Sequence, residues 1–188
     1  MNRLARRILK ELELGEPESM DAAATPSSAR SIAVLHPVFA LTGVLHVVGG
    51  ALLPSISARF HLNDARSGLL FLFYFAGTSI GALLCRKNYS RTMTLGFAAM
   101  AGACLLVAAS PRAILEPVFL LLGISVGVPM SAVTLFTGRT FPERCAPMLT
   151  FLNFSWSVDA LTAPLIAARI LVNHDYRTAY LLFAVAAA

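Results

Sequence analysis

Residues Pro117 to Thr137 read PVFLLLGISVGVPMSAVTLFT, 21 residues without a charge, between Glu116 and Arg139. As a helix this run rises about 32 Å, enough to cross a hydrocarbon core of about 30 Å. Pro117 suits the first position of a helix, where its missing N–H has no partner to lose. A surface helix of a soluble domain would carry a polar face instead. The stretch therefore predicts a transmembrane helix.

Similar runs lie on both sides of it. The first is expected over about 31–56, with Pro37 and Pro54 inside it, and the others over 66–85, 92–110 and 147–172. A sixth begins near Thr178 and reaches Ala188, the last residue of the sequence. That piece rises about 16 Å, roughly half a crossing. A helix end in hydrocarbon leaves carbonyls unpaired, so the reading frame is expected to continue or a partner to cover this end. Composition agrees with a membrane protein: 57% of the 188 residues are hydrophobic and 13% charged, against about 25% charged in soluble domains. The expected fold class is an all-α membrane protein with residues 31–188 as the transmembrane bundle.

Residues 1–30 are expected to be cytoplasmic. In 1–14, Leu4, Ile8 and Leu12 recur among Arg3, Arg6, Arg7, Lys10 and Glu11. This pattern fits either an amphipathic helix on an anionic leaflet or a solvated helix. No apolar stretch follows closely enough for a signal peptide. The Glu-, Pro-, Ser- and Ala-rich residues up to about 30 read as a linker.

Fifteen Lys and Arg against ten Asp and Glu give a net charge of +5. The basic residues are dispersed over alternate loops rather than gathered on one face, so nucleic acid is not an expected partner. With the amino terminus inside, ten fall on inner segments (Arg3, Arg6, Arg7, Lys10, Arg30, Arg86, Lys87, Arg91, Arg139, Arg144). Five fall outside: Arg59, Arg66, Arg112, Arg169 and Arg177. The positive-inside rule favours this orientation, and the expected location is a bacterial plasma (inner) membrane. Cys85, Cys104 and Cys145 show no metal or redox spacing. No metal or cofactor is expected. Gly77 and Gly81, and likewise Gly123 and Gly127, stand one turn apart, a pattern that lets helices approach closely in lipid.

Several stretches carry a family resemblance. Gly43–Arg59, GVLHVVGGALLPSISAR, is similar to a carrier's first helix with its late Leu-Pro, and residues 66–91 occupy the place of a second helix and the basic loop signature after it. Arg139–Pro147, RTFPERCAP, resembles the loop between helices four and five, and Asn153–Pro164, NFSWSVDALTAP, the fifth-helix segment. Together they resemble the amino-terminal half of a major facilitator superfamily (MFS) transporter, nearest to the fucose-permease-type sugar carriers, over about residues 31–188. The resemblance implies a six-helix amino-terminal bundle, here with its sixth helix incomplete. It also implies secondary transport, by symport or antiport, of a small sugar-like or drug-like solute, with a carboxy-terminal half or second bundle as partner in the bilayer. The loop signature is degenerate. Gly81, Arg86 and Arg91 fit it, but Cys85 stands where an Asp is expected, so the family's conformational latch lacks its carboxylate. Gly50 and Met130 stand at about the positions where proton-coupled members carry acids.

Ionisable residues at membrane depth cost about 2.5–3.5 kcal/mol each on insertion scales and point to function. His46 is central in the first span and Asp159 in the fifth. Ser155, Asp159 and Thr162 share a helix face bordered by Trp156, and Asn153 lies close by in sequence. These six are the candidate substrate- or proton-binding residues. The plainer alternative makes His46 a hydrogen-bond partner of a neighbouring helix and Asp159 either a destabilising substitution or a neutral, protonated acid. Phe73, Tyr74 and Phe75 are expected to face lipid or other helices, with sugar stacking as the lesser reading. Gly123–Gly127, GISVG, matches a nucleophile elbow, but an elbow needs a strand-to-helix turn, and this segment lies in a continuous apolar run. An enzyme is therefore not expected; an intramembrane serine hydrolase is the remote alternative, and a non-transporting membrane scaffold or degenerate fragment the nearer one.

Overall fold

The computed structural model describes residues 26–85 and 88–188, with side chains from His36 onward except at 38 and 90. The amphipathic segment expected over 1–14, the start of the linker, and Arg86 and Lys87 lie outside the described residues. Ala33–Ala188 form one compact unit, and the segment before it is a separate one.

Every regular element among the described residues is helical. We number them α1 (Pro26–Phe60), α2 (Asp64–Leu83), α3 (Tyr89–Ala109), α4 (Leu115–Thr140), α5 (Cys145–Leu171) and α6 (Tyr176–Ala187), with a 3-10 turn at Arg112–Ile114 leading into α4. Five stretches are long and apolar enough to cross a membrane: Phe39–Phe60, Asp64–Leu83, Arg91–Ala109, Arg112–Thr140 and Cys145–Leu171. The chain thus has the character of an integral membrane protein. α1 begins at Pro26, inside the stretch read as linker, and runs on through Pro37 and Pro54. Proline is tolerated inside membrane helices because neighbours re-satisfy the freed backbone groups.

Local chemistry sets the turns. α1 ends as His61 takes a left-handed φ of 51° and the Leu62 amide returns to the Ser57 carbonyl at 3.0 Å, a Schellman closure with His where Gly is commonest. Asn63 then caps α2 by accepting from the Arg66 amide at 3.0 Å, and Asn88 caps α3 by accepting from the Arg91 amide at 3.3 Å. Asp175 caps α6, accepting from the Tyr176 amide at 2.6 Å. Ser57 and Ser67 join hydroxyls at 2.8 Å, tying the end of α1 to the start of α2.

The tightest crossing is α2 against α4. A Cβ on Gly77 would overlap the Leu120 carbonyl, and one on Gly81 the Ile124 carbonyl. From the other side, Gly123 abuts the Tyr74 carbonyl and Gly127 that of Thr78. The two glycine pairs noted in the sequence are therefore one interface, each lying against the backbone of the other helix. Dispersion between backbones holds such a crossing in lipid, where no hydrophobic force between helices operates. α3 packs against α4, where Gly96 receives the Pro129 ring, and against α6.

Among the described residues α1 packs against α2, α4, α5 and α6. It meets α5 where Gly43 receives Trp156, α6 where Phe60 faces Tyr176, and α2 where Gly50 faces Phe71. α4 meets α5 as well. Exchanging α1–α3 for α4–α6 maps the α1·α5 pairing onto α4·α2, α1·α6 onto α4·α3 and α1·α2 onto α4·α5, and leaves α3·α6 unchanged. The lesser α5·α6 contact is the exception. The main core draws Leu52 from α1, Cys104 from α3, Phe119 from α4 and Tyr180 from α6, and a smaller cluster joins Phe39, Val133 and Leu152.

Candidate functional site

His46 sits among three aromatic rings from two other helices. Its centroid lies 5.7 Å from Tyr74 and 5.4 Å from Phe75 on α2, and 5.6 Å from Trp156 on α5. The Tyr74 hydroxyl is 3.4 Å from His46 Nδ1. The rings meet because of two close approaches. Gly43, one turn before His46, leaves room for the indole, since a Cβ there would stand 2.9 Å from the Trp156 carbonyl oxygen and 3.0 Å from its Cδ1. The glycine crossing then draws α2 onto α4 at Tyr74, whose ring is buried. Phe75 remains 47% exposed and His46 half-buried, so the cluster is open on one side.

Asp159 lies one turn beyond Trp156 on α5, a spacing that makes their side chains neighbours. It is half-buried, and its carboxylate makes no hydrogen bond or ion pair with another described residue. Ser155 and Thr162 flank it on the same face. Their hydroxyls donate to their own helix, Ser155 to the Phe151 carbonyl at 3.2 Å and Thr162 to the Asp159 carbonyl at 2.8 Å. With their protons so used, they offer only lone pairs outward. The strip therefore presents acceptors and calls for a donor: a proton, an ammonium group or the hydroxyls of a polyol.

The other expected residues divide. Trp156 belongs to the site, and its indole Nε1 is buried without a partner. Asn153 does not share the strip. Two residues from Ser155 it is turned by about 200°, and it lies exposed on the opposite edge with Ser157, which donates to its carbonyl at 2.8 Å. Gly81 serves the α2·α4 crossing, and Arg91 is exposed beside its capping Asn88. Ser125 is buried in continuous helix and donates to the Leu122 carbonyl at 2.7 Å. No strand precedes it, so the elbow geometry is absent there. No three His, Cys, Asp or Glu side chains converge among the described residues.

No family model, curated protein or solved structure matches this chain.

Sequence reasoning missed Tyr74 as the partner of His46, and Gly43 as the residue that admits Trp156. For Tyr74 a signal was present. A phenol in the middle of an apolar span needs somewhere for its hydroxyl to go. For Gly43 there was none, because its role depends on a residue four helices later.

Proposed function

We propose that the helical unit is one half of a secondary transporter of the major facilitator type, its amino terminus cytoplasmic, carrying a small solute past the α1–α5 face. One observation carries the reading: an unpartnered carboxylate, Asp159, stands mid-span one turn along α5 from Trp156, whose indole lies 5.6 Å from the half-buried His46 imidazole. Such groups are costly in hydrocarbon and serve substrate or proton pathways where they occur. The exchange relation among the helix pairings adds support. Three helices repeated once give two units of opposite direction across the bilayer, the inverted repeat of major facilitator half-bundles.

The acceptor strip Ser155–Asp159–Thr162 forms one wall of the solute path. A second bundle supplies the facing wall, and rocking between the two exposes the site to each side in turn. The solute class is one rich in donors, either a polyol such as a sugar or a protonated amine. His46 and Asp159 are the proton-binding pair that couples solute movement to a proton gradient.

The test is counterflow with the complete gene product in proteoliposomes, using labelled sugars and labelled amines. The reading expects saturable exchange of one class. Absence of exchange for both, in protein that remains folded, would favour a scaffold that only binds partner helices.

A further inference from the structure

Two rings of α5 mark the direction of α1. The Phe151 ring stands edge-on to His36, 4.7 Å between centroids, and Trp156 fills the space left by Gly43. Helical residues turn by about 100° each, so Asp159 falls between these two directions, about 80° from Phe151 and about 60° from Trp156. Asp159 is thus on the side of α5 that faces α1. The contacts also run in one sense, 36 with 151 and 43 with 156, so the two helices are parallel and Asp159 lies beyond Trp156 toward Gly50. There the seam is open. Gly50, two turns after Gly43 on the same face of α1, is exposed, and Phe71 Cζ of α2 stands 3.5 Å from where its Cβ would be. The Phe71 and Phe75 rings lie near-parallel with centroids 6.1 Å apart, and Phe75 continues the row to His46 at 5.4 Å.

The charge along this seam is one-sided. Among the described residues every Arg lies between helices or in the first or last turns of one, and Asp159 is the one acid placed mid-helix. No guanidinium stands at its depth. We propose that the seam binds an organic monocation, its ammonium group against Asp159 and its apolar body along Trp156, Phe75 and Phe71. Aromatic faces attract cations, Trp most strongly, and a carboxylate in a site of low polarity gains more from an ammonium partner than it would in water. The Ser155 and Thr162 lone pairs take further N–H groups. A polyol suits the seam less, because it offers as many lone pairs as hydroxyl protons and needs donors from the wall. The Ser155 and Thr162 protons are spent on their own helix, the Trp156 Nε1 is buried, and Asn153 lies on the opposite edge.

The inference rests on the proposed transport for placing this face on the solute path, but its test measures binding alone. Trp156 is the single tryptophan of the chain, so its emission reports contact in the seam. Full-length protein in lipid nanodiscs is titrated with benzylamine, a cation at neutral pH, and with benzyl alcohol, which keeps the ring without the charge. Emission before ligand, the same in wild type and variants, shows that the variants remain folded. A saturable change is expected with benzylamine, and binding of benzyl alcohol weaker by about tenfold or more. Asp159→Asn is expected to raise the benzylamine Kd by about tenfold or more. Phe75→Leu is expected to raise it by about threefold, the share of a partly exposed cation–π contact, with Phe75→Tyr binding more tightly than Phe75→Leu. No saturable change with benzylamine, or equal binding of benzyl alcohol or by Asp159→Asn, would overturn the inference. Counterflow of sugars without amine binding would overturn it too and leave the transport reading standing. Amine binding without counterflow of any solute would uphold it and count against the transport reading alone.

Discussion

The His46 imidazole of α1 and the Trp156 indole of α5 stand 5.6 Å apart between centroids, and Gly43 is the residue that admits the indole. A Cβ at position 43 would press on both the Trp156 backbone and its ring. Gly43→Ala is therefore expected to displace Trp156 and to lower stability by about 1–3 kcal/mol, the usual range for overpacking. A shifted Trp156 emission spectrum and a lower melting temperature in detergent would report it.

The α2·α4 crossing makes a sharper contrast. Gly77→Ala and Gly123→Ala each drive a methyl into a backbone carbonyl that has no rotamer to escape by, and are expected to destabilise by about 3 kcal/mol or more. Gly68→Ala and Gly102→Ala meet nothing within 4 Å, and are expected to stabilise by about 0.5–1 kcal/mol through helix propensity. Thermal unfolding of the four variants side by side checks the pairing.

Asp159→Asn keeps the shape of the strip and removes the group that binds a proton or cation. Proton-driven accumulation of solute is expected to disappear, and the pH dependence of transport to flatten. Unchanged accumulation with an unchanged pH profile would remove Asp159 from the coupling.

Orientation follows from which helix ends carry the basic residues. Alkaline phosphatase, active only outside the cytoplasm, is expected to be active when fused after Arg112 and inactive when fused after Glu143. The reverse pattern would invert the bundle.

The helical class was legible in run length alone, because a chargeless stretch such as Pro117–Thr137 has few other places to go. Which side of each helix is buried was not. In water, polarity marks the outer face of a helix, whereas lipid and protein interior accept the same residues. Leu152 and Leu161 of α5 are alike in sequence, yet one is 3% exposed and the other 79%. The small-residue spacing of Gly77, Gly81, Gly123 and Gly127 was visible, but not that the two pairs meet. The candidate site shows the same division. Ionisable residues in apolar spans stand out singly, so His46 and Asp159 could be named. The surroundings of His46 come from Tyr74 and Trp156, which only the packing order of helices brings together.

The central claim is that the Asp159 face of α5 borders water at membrane depth, as one wall of a solute path. In a variant lacking Cys85, Cys104 and Cys145, single cysteines are introduced as Ser155→Cys, Asp159→Cys and, for the lipid-facing side, Leu161→Cys. Full-length protein in proteoliposomes is then treated with a membrane-impermeant thiol reagent. Reaction at positions 155 and 159, with none at 161, is the predicted result. Protection of 155 and 159 to the same degree as 161 would contradict it.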